Sequence, residues 1–131
     1  MFLALLTLAA AAAQTAPGCI DVRSGDAPVA LEGRLERHSF VTPDVGNGRA
    51  ERGYILILAR PICLDDGGEF ADSRQRFTRV QLYTSNDRLW PRLRAAVGHR
   101  IRIRGTGFAA HTAHHHAPMV VDVSAISRTA R

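Results

Sequence analysis

Asn86-Asp87-Arg88-Leu89-Trp90-Pro91-Arg92-Leu93-Arg94-Ala95-Ala96-Val97-Gly98, followed at once by His99 and then Arg100-Ile101-Arg102-Ile103-Arg104, decides how this 131-residue chain is read. In the first stretch Leu89, Trp90, Leu93 and Val97 recur at helical spacing. Asn86 or Asp87 supplies a cap, Pro91 is tolerated only in a first turn, and Gly98 stops the helix. In the second stretch apolar and charged residues alternate without exception, which is the period of a half-buried strand with every Arg outside. One short helix therefore runs directly into a strand.

Working outward, four more segments carry strand signals. Val29 to Arg37 alternates, with Val29, Leu31, Gly33 and Leu35 on one face and Glu32, Arg34 and Glu36 on the other. Tyr54-Ile55-Leu56-Ile57-Leu58-Ala59 is continuously apolar and short, so it suits a strand covered on both faces, with Pro61 expected to end it. Val80-Gln81-Leu82-Tyr83 is a third segment, and Met119 to Ile126 follows the alternating arginines as a fifth. The order β-β-β-α-β-β predicts an all-β domain with one helix, a five-stranded OB-like Greek-key barrel whose end is plugged by Leu89, Trp90 and Leu93. Two connections are long for such a domain. His38 to Arg52 and Asp65 to Thr78 are expected to be loops, and loops of that length usually bind or move.

The chain opens with Phe2-Leu3-Ala4-Leu5-Leu6-Thr7-Leu8 and the run Ala9 to Ala13. This is too short to span a bilayer as a helix and has the form of a secretory signal peptide over residues 1–13, with Ala11-Ala12-Ala13 as the cleavage site. The expected organisation is that signal, an N-terminal segment over 14–28, and a barrel domain over 29–127. A periplasmic or secreted address follows. In an exported chain the two cysteines, Cys19 and Cys63, read as a disulfide that ties the N-terminal segment to the barrel, while Cys19 as a lipidated cysteine is the alternative. Their separation excludes a C-x-x-C redox motif.

All 17 basic residues are Arg, and the formal net charge is +5. Export argues against nucleic acid as the partner and leaves anionic envelope polymers as the charged candidates. Arg100, Arg102 and Arg104 lie on alternate residues about 7 Å apart, a spacing at which guanidinium groups can take phosphates or carboxylates; Glu32, Glu36 or Asp122 on paired strands would instead neutralise them. The unusual stretch is His111-Thr112-Ala113-His114-His115-His116, four of six histidines in one turn. Neutral imidazole binds Zn, Cu or Ni, so His111, His114 and His116 are the candidate metal ligands; in an extended segment His114 and His116 point one way and His115 the other. His38 and Asp122 are distant candidates for a further ligand. No G-x-S-x-G nucleophile motif and no H-E-x-x-H is present, and Asp65-Asp66 lacks calcium-loop spacing. The reading is an exported, monomeric, non-catalytic module that binds an envelope ligand or protein, with His111, Thr112, His114, His115, His116, Arg100, Arg102 and Arg104 as candidate ligand residues. Transition-metal binding is the alternative.

Gly98-His99-Arg100-Ile101-Arg102-Ile103-Arg104-Gly105-Thr106-Gly107-Phe108, then Thr112-Ala113-His114-His115-His116 and an apolar strand, resembles the exported bacterial domain of unknown function called DUF4431. Pro61-Ile62-Cys63 and Val80-Gln81-Leu82 resemble further elements of that family, so the likeness runs from about Cys19 to Ile126 of this sequence. It departs at His99, Gly107 and Ala113, where the family has Lys, Leu and Gly. The resemblance implies a small exported β domain with Cys19 and Cys63 paired. It implies no activity.

Overall fold

The computed structural model of the protein describes residues 18–25, 27–41 and 50–129. The expected signal segment, residues 1–13, lies outside the described residues. Six strands are present: β1 (Cys19–Asp21), β2 (Ala27–Val41), β3 (Ala50–Asp65), β4 (Phe77–Tyr83), β5 (Arg100–Ala109) and β6 (Met119–Arg128). A 3₁₀ turn (Asp87–Leu89) leads into one helix, α1 (Trp90–Ala96). Strands β2 to β6 close into a ring. β2 pairs antiparallel with β3 and with β5, β5 with β6, β6 runs parallel to β4, and β4 pairs antiparallel with β3. The all-β fold with one short helix is the one that the order of segments implied.

The alternating segments fold as their period dictates. Val29 and Leu35 are buried while Ala30 and Arg34 are exposed; Ile101 and Ile103 are fully buried between exposed Arg100, Arg102 and Arg104. Leu35, Ile55, Leu56, Val80, Leu82, Met119 and Val121 complete a core in which each aliphatic side chain removed from water contributes about 1.5–3 kcal/mol. Two glycines mark close backbone approaches. A Cβ at Gly33 would strike the Ile57 carbonyl, and one at Gly105 the Asp122 carbonyl, where the β5–β6 register shifts.

The helix closes one end of the ring with Leu89, Leu93 and Ala96 buried and Trp90 tilted against Tyr54 at 6.1 Å. Asn86 caps the 3₁₀ turn rather than the α-helix, its side chain accepting from Arg88 N–H. Gly98 ends the helix at φ 86°, and its N–H donates to the Leu35 carbonyl at 2.7 Å, which fastens α1 to β2.

Three expectations are corrected. Pro61 does not end its strand; β3 continues to Asp65, because Pro61 lies past Leu58, the last residue in register with β2, and within the interval Ile57–Ile62 where the register with β4 shifts, so its missing N–H interrupts no matched pair. The connection expected over His38 to Arg52 is shorter. Both ends of it pair as a hairpin arm, His38 opposite Gly53 and Phe40 opposite Glu51, and residues 42–49 lie outside the described residues. Finally, part of the N-terminal segment forms a strand: β1 lies parallel to β3 with Cys19 in register with Cys63, and the two are joined by a disulfide. With its sulfur in that bridge, Cys19 has none to carry a lipid. Among the described residues no helix is long and apolar enough to cross a membrane.

Candidate functional site

The β5–β6 loop holds the four clustered histidines, and the structure separates them into two pairs. His114 Nδ1 and His116 Nε2 each contact one oxygen of Glu51, at 2.6 and 3.0 Å. The His116 ring also stacks on Phe40, 4.1 Å between centroids and 3° between planes. Gln81 pins the same backbone: its amide donates to the His114 carbonyl and its oxygen accepts from His116 N–H. The loop is thus clasped by β2, β3 and β4 together. The hydrogen bond from His116, opposed by desolvation and joined by that from His114, holds the Glu51 carboxyl below its usual range.

His115 faces away from that pair, although the segment is a turn, closed by His115 N–H donating to the Thr112 carbonyl at 3.1 Å, and not the extended run the sequence suggested. Its Nδ1 accepts from the N–H groups of His111 and Thr112, at 2.9 and 3.2 Å, so Nδ1 carries no proton and Nε2 does. Desolvation, followed by repulsion from His111, His114 and His116, pushes His115 below the ordinary histidine value. His111 Nδ1 donates to the Ala109 carbonyl at 2.9 Å, and its ring packs against Phe70, Phe108 and His115. His111 therefore does not join His114 and His116. Among the described residues no group of three or more His, Cys, Asp or Glu side chains is placed to hold a metal ion. The two distant ligand candidates are engaged elsewhere, His38 with Glu36 at 2.8 Å and Asp122 with Ser85 N–H and Oγ.

On the outer face of β5, Glu32 bridges Arg100 at 2.9 Å and Arg102 at 3.2 Å, and the bonds from Arg102 and Arg100 hold its carboxyl below the usual value. Of the three carboxylates expected to neutralise this face, Glu32 does so, while Glu36 and Asp122 have the partners just described. Arg104 stands in register with Ala30 and Ala125, so no carboxylate lies directly opposite it.

A site that the sequence did not disclose lies beside His111. A cleft of about 270 Å³ is lined by Phe70, Phe108 and His111 on its aromatic side and by Asp66, Glu69 and Arg23 on its polar side. The residues after β1 bring Arg23, β5 brings Phe108, the β5–β6 loop brings His111, and the connection after β3 brings Asp66, Glu69 and Phe70. That connection is built by one side chain. Asp66 Oδ1 accepts from Gly68 and Glu69 N–H, and Oδ2 from Phe70 and Ala71 N–H, at 2.7–3.1 Å. Burial would raise the Asp66 carboxyl, but these four donors outweigh it and hold the group below its usual value. So fastened, Phe70 stays 58% exposed, a large apolar ring held out on an ordered loop. The available signal was Phe70 itself, an aromatic in an otherwise polar Gly-rich stretch.

The geometry joins the end of β4, α1, β5, the histidine loop and β6 into one continuous stretch of chain. Residues 79–127 match the family model of a domain of unknown function, DUF4431. Over this stretch the chain is similar to the DUF4431 family. The match takes in Gln81, Phe108 and all four loop histidines, and is narrower than the span of Cys19 to Ile126 over which the motifs resemble the family. Cys19, Cys63, Asp66 and Phe70 lie outside the DUF4431 match. A search of the curated proteins finds none that matches the chain.

Proposed function

We propose that the protein is an exported, non-catalytic ligand-binding module whose ligand sits in the cleft between Phe70, Phe108 and His111. The observation that carries this is Phe70. An exposed phenylalanine held in place by four hydrogen bonds to Asp66 is ordered before any ligand arrives, so binding pays little further entropy. Ligand pockets are concave, mainly apolar and furnished with a few polar groups, and this cleft has that character at the small end of the size range. The order of strands round the ring, with α1 between β4 and β5, supports an OB-like barrel, a fold that commonly carries binding loops.

A non-catalytic role is supported by the cleft's own groups. Among the described residues the lining holds no Ser, Cys, Thr or Lys nucleophile, and the Asp66 carboxylate is already saturated by backbone donors. Export is supported by the Cys19–Cys63 bridge, which persists in oxidising compartments, together with the signal-like N-terminal sequence. The test is a fragment screen by protein NMR. Shifts should concentrate at Phe70, Phe108 and His111 and vanish in Phe70→Ala with the rest of the spectrum unchanged. Hits confined to other surfaces would refute the reading.

A further inference from the structure

Resting on the cleft as the ligand site, we infer that its ligand is a small organic cation bearing a quaternary ammonium group. The cleft is an acidic, aromatic corner of a basic protein. The chain carries a formal net charge of +5, yet the carboxylates of Asp66 and Glu69 line the cleft, and Arg23 is held there by Asp21 at 2.6 Å with Asp65 close enough to act on it. Asp21 and Asp65 thus act on the guanidinium, and Asp66 and Glu69 add two further carboxylates to the lining. The rings of Phe70 and Phe108 lie 5.2 and 5.6 Å from that of His111, so their faces and edges border one small volume. Aromatic faces attract a cation through the ring quadrupole, most strongly when the cation is partly desolvated. A volume of about 270 Å³ suits a headgroup-sized ligand.

The state of Asp66 selects among cations. A carboxylate offers about four acceptor sites, and here backbone N–H groups occupy both oxygens twice over. Asp66 therefore supplies charge without a hydrogen-bond acceptor. A primary ammonium would lose its water acceptors and find no replacement at Asp66, with Glu69 alone left to accept, whereas a quaternary ammonium has no N–H to satisfy and presents methyl groups to the rings.

Titration of the oxidised protein with choline, ethanolamine and 3,3-dimethyl-1-butanol tests this. The last has choline's shape without its charge. Choline should bind about tenfold more tightly than either. Glu69→Gln should weaken choline several-fold and leave the neutral alcohol unchanged, and Phe70→Ala should abolish choline binding while Phe70→Leu retains only the weak apolar part. Equal affinity for choline and the alcohol overturns the cation inference and leaves a ligand-binding cleft standing. So does fragment binding at Phe70 with no response to choline. If nothing perturbs the cleft, both readings fall. Phosphatidylcholine vesicles distinguish the sources of the cation. Co-sedimentation lost in Phe70→Ala assigns a lipid headgroup; free choline bound without co-sedimentation assigns a soluble cation.

Discussion

At the scale of single residues, two side chains set the shape of the candidate site through backbone hydrogen bonds. His115 does so only while Nδ1 is unprotonated, because that atom accepts two N–H groups. Its folded value lies below the ordinary 6.5, so the native state binds protons less readily than the unfolded chain. The stability it contributes is complete above about 6.5 and is lost as pH falls through the lower, folded value. Amide-exchange protection of His111 and Thr112, corrected for intrinsic rates, is expected to fall as pH is lowered below the ordinary 6.5, and His115→Ala should show the low protection throughout. Protection unchanged by acid would contradict the tautomer deduced here. Asp66 acts on the other side of the cleft. Asp66→Ala removes the acceptor of four N–H groups, and a cost of about 2 kcal/mol is expected, since bonds to a charged acceptor are the stronger kind. Exchange should then quicken across Gly68 to Ala71 and ligand shifts at Phe70 should disappear. A melt and exchange pattern matching wild type would show that Asp66 does not order the loop.

At the scale of elements, β1 is the weakest piece and the one the site most needs. It is three residues long, pairs with β3 alone, and is bonded covalently through Cys19–Cys63. Releasing the 45-residue loop by a Cys19→Ala/Cys63→Ala double substitution is expected to cost about 4 kcal/mol in the chain-entropy account. Before global unfolding, β1 should come away and take Val22 and Arg23 from the cleft, so ligand affinity should drop in conditions where the ring's circular dichroism is intact. Affinity equal to that of the oxidised protein would show that β1 does not build the site. β1 was illegible because three residues show no period, and its pairing is set by a bridge rather than by a hydrophobic pattern. The ring strands were legible because their burial alternates, as at Ile101 and Ile103 between arginines. The hairpin arm was not. Past Arg37–Tyr54 the strands run away from the core, so Ser39, Val41 and Arg52 are all exposed and the inward pattern fades. Part of the histidine reading held, with His114 and His116 together and His115 apart, but a turn at Thr112–His115 and not an extended run places them so. The position of His111 depended on Phe70, 41 residues away in sequence, which no local pattern reports.

At the scale of the whole molecule, the shortage of acids on a chain of 17 arginines makes each ion-paired carboxylate a point of acid sensitivity. Glu32 is held down by Arg102 and Arg100, Glu51 by His116, and Asp72 by Arg74; Asp66 is held down by backbone donors against its burial. All four bind protons more weakly in the native state than their ordinary values of 4.5 and 3.8 imply. Their stabilising contribution is therefore present above those values and lost as pH falls through the lower native ones. Protonation has a second consequence here. Neutral Glu32 leaves Arg100 and Arg102 side by side on β5 with Arg34 in register opposite Arg100, so acid converts a compensated face into a repulsive one. The melting temperature should stay level near neutrality, decline gently as His115 gains a proton, and fall steeply below about pH 4. Salt at 0.5 M should restore part of the steep loss by screening arginine repulsion, and little of the gentle one, which is the loss of two hydrogen bonds. Melts recorded from pH 3 to 8 at low and high salt separate the two. A melting temperature level down to pH 3, or an acid loss indifferent to salt, would mean that these carboxylates do not hold the basic barrel together.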